Sequence, residues 1–422
     1  MKHLTIFAAF AVAVLAAGCA KNEVIQNESP QQAVTFGVYA GQSATKATYG
    51  DITTTNLTTS ADGFGVFAYY TQNTDWTSSN TPNFMYNQQV RNIASFAAHS
   101  ESNPSDYTAA RYPSEWYYTP LKYWPNGQNS TEYAANSTSA DKVSFFAYAP
   151  HIATVSTVPE AGQGITAMSS NSATGAPYVD FTVPSKAEQQ IDLLWAIPIM
   201  DQTKKAISGR VPFVFKHALS KLNFKVQAVV DATAATTTNL VDNGDGTFDN
   251  GETWILLQSL SVTANGTQSG RLTLDSNDAT TPNWSGTTGN TTVSYVTSPC
   301  SFAPAASVVT ADSKNGFKVT ETATDLNSSV SPMIIPATIA ASGFTIVANY
   351  WVITKDTALS SGYSTIQNVI TSTNVSPITF AAGKKYDITV KLGLNSVDFT
   401  ATVTDWDGGA SPLSFDLPLN AS

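Results

Sequence analysis

Few residues of this 422-residue chain are arranged to do chemistry, and two of them lie near its start. Cys19 follows Lys2 and His3, then an apolar run from Leu4 to Ala17, in the order Leu15-Ala16-Ala17-Gly18-Cys19. The run is short for a membrane span, and small residues after it suit an export signal that is cut off. The pentapeptide resembles a lipobox, with Leu15 one place further from the cysteine than usual. Residues 1–18 read as the signal peptide, and Cys19 as a thiol whose acylation would tether the precursor to a bilayer. The alternative is an ordinary signal with an incidental cysteine. Lys46 is the second residue. It is the single basic residue of Gly41-Gln42-Ser43-Ala44-Thr45-Lys46-Ala47-Thr48, a small, polar stretch of the kind proteases cut. A trypsin-like or Arg/Lys-specific protease would cleave between Lys46 and Ala47. On the residues alone, a solvated loop lysine is the better account.

A third candidate is ionic. In Val241-Asp242-Asn243-Gly244-Asp245-Gly246-Thr247-Phe248-Asp249-Asn250-Gly251-Glu252, alignment on Gly246 puts Asn243, Asp245, Asp249 and Glu252 at the ligand places of a calcium loop. Val241 stands where the first carboxylate belongs. The alternative is a polar Gly/Asn/Asp hairpin insertion. Apart from calcium, no cofactor is expected. His3, His99, His151 and His217 have no metal-ligand spacing, and there is no Gly-x-Ser-x-Gly elbow or phosphate loop. His217 reads as a structural turn residue. Cys300 has no partner once Cys19 is acylated, so no disulfide framework is expected and the thiol reads as structural. No catalytic residue is assigned and no enzyme is expected.

These residues must be positioned by strands. Charged residues are only 12% of the chain while aromatics reach 11%, and Thr, Ser and Asn are abundant; this composition suits exported β-structure. The net charge of −10 disfavours nucleic acid and anionic membrane surfaces as partners. Short apolar runs punctuated by Gly, Pro and Asn read as strands at 64–70, 83–88, 142–150, 191–196, 211–215 and 222–226, and later at 254–262, 345–353, 386–394 and 397–403. The pattern resets near 208, where a boundary between two sandwich domains is placed.

Two further stretches alternate strictly. Val34, Phe36 and Val38 would share one strand face near the start, and Leu413, Phe415, Leu417 and Leu419 one face near the end. The second stretch follows Asp407-Gly408-Gly409-Ala410-Ser411-Pro412, a flexible hinge. The two strands are read as competitors for one groove. The first is displaced, and the second, from a neighbouring copy, replaces it; the alternative is that the tail pairs within its own subunit as a final strand.

Several blocks, in order, resemble those of the fimbrillin-like family, the lipoprotein-derived pilins of type V pili. They are Trp116…Tyr123-Trp124-Pro125, Phe145-Phe146-Ala147-Tyr148-Ala149-Pro150, Asp192-Leu193-Leu194-Trp195-Ala196, Phe213-Val214-Phe215-Lys216-His217-Ala218-Leu219-Ser220-Lys221-Leu222, Ile334-Ile335-Pro336 and Gly383-Lys384-Lys385-Tyr386…Val403-Thr404-Asp405-Trp406. The resemblance implies an all-β chain of two transthyretin-like β-sandwich domains with exchangeable N- and C-terminal strands. It implies a lipidated propeptide over 19–46, cleavage after Lys46, sandwiches over 47–207 and 208–406, and a donor-strand tail over 407–422. It further implies a precursor in the outer membrane and a processed form in the cell-surface fimbrium. The implied partners are copies of the chain or related fimbrial subunits, head-to-tail, together with outer-membrane lipid and an Arg/Lys-specific processing protease. The function expected is a structural pilus subunit contributing to adhesion. The rival is a monomeric surface lipoprotein binding a glycan or protein ligand through exposed aromatics such as Trp76, Trp116 or Trp124, or a tip or anchor accessory subunit.

Overall fold

The computed structural model describes residues 32–40, 52–125, 141–159, 163–204, 206–229, 253–296, 300–302, 314–326, 331–355, 358–359, 363–406, 413–417 and 419–421. Ten strands come first: β1 (Thr35–Tyr39), β2 (Phe64–Gln72), β3 (Met85–Asn92), β4 (Trp116–Tyr117), β5 (Lys142–Ala149), β6 (Ile165–Met168), β7 (Tyr178–Thr182), β8 (Leu194–Ala196), β9 (Ile199–Gln202) and β10 (Arg210–His217). Their main sheet runs β1-β10-β8-β5-β2-β3-β4, with β9 also on β5. The central strands β2 and β5 are buried along nearly their whole length instead of on alternate residues. The cause is a core on each face. Phe64, Val66, Phe145 and Ala147 point into one, and Phe67, Tyr69, Phe146 and Tyr148 into the other. Continuous apolar runs are what such two-sided burial requires. Two six-residue helices, α1 (Thr54–Thr59) and α2 (Ile93–Ala98), are capped by Thr53 and Asn92, whose side chains accept from Asn56 N and Ala94 N.

The remaining strands are β11 (Ser220–Ala228), β12 (Thr253–Thr273), β13 (Asn283–Val296), β14 (Cys300–Phe302), β15 (Lys314–Val319), β16 (Thr324–Asp325), β17 (Met333–Ile334), β18 (Ala337–Ile339), β19 (Phe344–Lys355), β20 (Tyr363–Asn374), β21 (Ile378–Phe380), β22 (Lys384–Leu392), β23 (Val397–Asp405), β24 (Leu413–Leu417) and β25 (Leu419–Ala421). One sheet runs β16-β11-β22-β23-β24 and the other β14-β15-β12-β19-β20-β25. Leu222, Phe224, Ile388 and Val390 from the first meet Leu257, Leu260, Ile346 and Ala348 from the second in a single core. That is a β-sandwich, with alternate residues turned inward along β22 and β23.

The chain crosses between the halves at residues 217–220. β10 belongs to the first sheet and β11 to the second, so the strand at 210–217 lies with the residues before 208, not after them. The halves are also joined by strand pairing. β7 runs antiparallel along the far end of β12, from Thr182 opposite Ser269 to Tyr178 opposite Thr273. Phe181, Trp195, Leu219, Leu272 and Ile335 fill a core at this junction. The long β12 therefore belongs to the sandwich at one end and to the junction at the other.

Candidate functional site

The first predicted strand sits deep in the first half. Its alternation does what a pleated strand demands: Val34, Phe36 and Ala40 are buried, Val38 is half-buried, and Tyr39 is half exposed. Phe36 stacks on Phe213 of β10 and meets Phe64 and Tyr118 edge-on at 6.0 and 5.4 Å. This aromatic socket is built by residues from three separate elements, β2, β10 and the segment after β4.

The backbone of residues 32–39 is paired on one side along β1 and on the other through residues 32–34, just before it. β1 lies parallel to β10, with Thr35 opposite Arg210 and Tyr39 opposite Val214. On the other side, Val34 N donates to Lys122 O at 2.9 Å and Trp124 N donates to Gln32 O at 3.0 Å. The Tyr118 hydroxyl donates to Val34 O at 2.8 Å, and the Tyr112 hydroxyl to Tyr118 O at 3.0 Å. Burial pushes the Tyr118 phenol up, and that of Tyr112 up to about 12, so both remain neutral donors. Residues 122–124 follow β4, the opposite edge of the sheet. Residues 32–39 thus tie the sheet's two edges together, and their removal would expose unpaired backbone on both. This arrangement holds a strand by packing and main-chain pairing.

The rim beside β1 is polar. A cavity of about 640 Å³ is lined by Gln32, Thr35, Arg111, Tyr123, Lys204 and Arg210, among others. Arg210 lies across Gly37 so closely that a Cβ there would stand 2.7 Å from Arg210 Nε.

Of the other residues singled out in the sequence, Cys19, Lys46, Ala47, Asn243, Asp245, Asp249 and Glu252 lie outside the described residues. The tail is described as backbone. Leu413–Leu417 runs antiparallel on β23 of the same chain, with Leu417 opposite Phe399 and Phe415 opposite Ala401. Leu419–Ala421 pairs with the end of β20. The tail therefore bridges the edges of the two sandwich sheets, away from β1. The aromatics expected to be exposed are not: Trp116 and Trp124 are buried in the first core, and Trp76 packs against Tyr69 and Phe146. Burial takes Trp116 and Trp124 out of the ligand platform on which the rival reading relied, and Trp76 is half-buried. Among the described residues no group of three His, Cys, Asp or Glu side chains is placed to hold a metal ion.

One cluster was not legible from spacing. His217 closes β10, and its Nδ1 lies 2.5 Å from Asp192 Oδ2, both side chains buried. Its ring stacks on Trp406 at 4.4 Å, with planes 2° from parallel, and Lys221 Nζ stands 5.3 Å from the same indole. Three of the sequence blocks meet here, at the junction of the halves. Gln190 adds a further tie, its side-chain oxygen accepting from Met333 N at 2.6 Å.

Comparison with known proteins supplies the family. The family model described as fimbrillin-like matches residues 45–406. The chain belongs to the fimbrillin-like family. That match spans both halves but neither β1 nor the tail. Among named relatives, fimbrium subunit Fim1C of Phocaeicola vulgatus is 29% identical over 411 residues, covering 91% of each chain. The fold agrees with the crystal structure of a fimbrial protein from Bacteroides vulgatus, at a TM-score of 0.57 and 24% identity, covering 89% of this fimbrillin-like chain and 99% of that one. The family is one of structural fimbrial proteins, in keeping with a site made for holding a strand.

Proposed function

We propose that this fimbrillin-like chain is a structural subunit of a cell-surface fimbrium that assembles by donor-strand exchange and contributes to adhesion. It is exported as a lipoprotein acylated at Cys19, held at the outer membrane, and freed by an Arg/Lys-specific protease cutting after Lys46. β1 then leaves its socket, and residues 413–419 of the next subunit enter it. The contact is head-to-tail, because donor and socket lie on different surfaces, and such a contact propagates as a filament.

The observation that carries this reading is the seating of β1. The strand at 32–39, paired along β10 and, at its start, with residues 122–124, is joined covalently to the rest of its domain through residues 41–51, which contain Lys46. One cut converts that strand from a covalent part of the fold into a ligand. The vacated socket would be refilled by main-chain pairing, with alternate side chains entering pockets. Each large apolar side chain buried there contributes roughly 1.5–3 kcal/mol before ordering costs.

Mass spectrometry of the protein recovered from cells tests the reading. Chains beginning at Ala47 in high-mass assemblies are expected. Chains that retain acylated Cys19 and form no assemblies would overturn it.

A further inference from the structure

We infer that Asp416 of an incoming subunit pairs with Arg210 of the acceptor and fixes the register of the exchanged strand; the inference rests on the donor-strand reading above. The resident strand places Val34, Phe36, Val38 and Ala40 on its inward face at two-residue spacing. The tail offers Leu413, Phe415, Leu417 and Leu419 at the same spacing. Matching the four inward positions puts Asp416 where Gly37 now sits. Asp416 is the central residue of its seven, so this holds whether the donor runs parallel or antiparallel to β10. A slip of two residues leaves one pocket empty and brings Ser414 or Pro418 to that place instead.

Position 37 is the one place on the outward face where the resident strand has no side chain. Arg210 fills the gap, lying over Gly37 with Nε, Nη2 and Cζ within 2.7–3.1 Å of where a Cβ would be. A donor residue with a side chain must displace the guanidinium. A carboxylate rewards that displacement, because the group pushed aside becomes its ion-pair partner. The resident strand brings no carboxylate to this position and the donor does, so the contact discriminates between them.

Charge on the two surfaces agrees. Arg111, Lys204 and Arg210 line the cavity beside β1, and no carboxylate is among its lining residues. The tail, residues 407–422, contains Asp407 and Asp416 and no Lys, Arg, Glu or His. An acidic donor arm approaching a basic rim is steered as well as held, in a chain whose net charge of −10 otherwise opposes self-association.

Charge exchange in the full-length chain tests this. Arg210→Glu and Asp416→Arg are expressed singly and together, and the rate of appearance of high-mass assemblies is compared with the wild type. Each single change is expected to slow assembly about tenfold, the factor set by 1.4 kcal/mol. The double change is expected to recover most of that loss. Silent single changes, or a double variant as slow as the product of the singles, overturn the inference. Arg210→Gln with Asp416→Asn provides a milder cycle in which the two losses should not add. Phe415→Asp separates this inference from the reading beneath it. If Phe415→Asp blocks assembly and the charge variants do nothing, only the register contact fails. If Phe415→Asp assembles like the wild type, strand exchange fails and the inference with it.

Discussion

Phe36 and Phe213 stack with ring centroids 5.8 Å apart and planes 12° from parallel. The pair joins a strand that precedes Lys46 to one that lies more than a hundred residues later, and it forms the centre of the first core. Truncating Phe36 removes the stack, two edge-on partners and a fully buried ring at once. We expect Phe36→Ala to destabilise the uncleaved chain by about 3–5 kcal/mol. Tyr39→Ala, on the exposed face, should cost no more than about 0.5 kcal/mol. Urea denaturation followed by tryptophan fluorescence compares the two; similar midpoints would contradict the seating of β1.

The Tyr118 hydroxyl reaches Val34 O at 2.8 Å and Lys122 O at 3.2 Å, spanning the seam where the sheet closes. Tyr118→Phe keeps the ring and removes the donor, leaving a buried carbonyl short of a partner. The expected cost is about 1–3 kcal/mol. Hydrogen exchange should localise it, with faster exchange at Val34 N and Trp124 N and unchanged protection in β22.

His151 is a buried histidine of the first half, and burial lowers its pKa below the ordinary 6.5, outweighing the backbone of Asn87 and the charge of Asp62, which raise it. The unfolded chain takes up the proton first as the pH falls. The stability His151 contributes is therefore complete above pH 6.5 and is lost as the pH drops from there toward the lowered folded value. A His151→Gln variant should show a flatter stability profile over that window than the wild type. An equal change in unfolding free energy between pH 7 and pH 5.5 in the two proteins, measured by denaturant titration, would refute this role.

Strand positions were legible because burial writes itself into the sequence at period two or as unbroken apolar runs. Val34 and Phe36 alternate and are buried, and residues 142–150 form one run because β5 has a core on each face. The roles of Trp116 and Trp124 were not legible. An aromatic in a loop-rich stretch has the same composition whether it faces solvent or closes a core, and only the seam between residues 122–124 and β1 decides. The placement of β10 was hidden for a related reason. The turn at 206–209 resembles a boundary, but β10 returns to pair with β8 and β1 before the chain leaves the first half. The pairing of Asp192, His217 and Trp406 depends on the segment before β8, the end of β10 and the turn after β23 converging, which no local spacing encodes.

That cluster makes its own prediction. Asp192 Oδ2 lies 2.5 Å from His217 Nδ1 and also accepts from Ile52 N at 3.4 Å. Asp192→Ala removes the carboxylate that His217 Nδ1 and Ile52 N share, and we expect a loss of about 1–3 kcal/mol. The double variant with His217→Ala should lose clearly less than the sum of the two single losses, since each removes the same contact. Strict additivity in chemical denaturation would show that the two side chains act independently.

The tail's own pairing sets the terms on which it can be donated. β24 pairs with five residues of β23 and β25 with three of β20, so release breaks two short edge ladders. On the donor-strand reading, the socket's β10 edge and aromatic walls are what would draw the tail across once β1 is gone. A synthetic peptide of residues 411–422 should therefore bind chain that has been cut after Lys46 and has lost β1. It should fail to bind a Lys46→Gln chain treated with the same protease, because β1 remains covalently held. A peptide with Phe415→Asp carries a charge on its inward, apolar face and should bind at least a hundredfold more weakly, a difference of about 2.8 kcal/mol. Fluorescence anisotropy of labelled peptides distinguishes the cases. Equal binding to cut and Lys46→Gln chains would place the peptide elsewhere than the β1 socket.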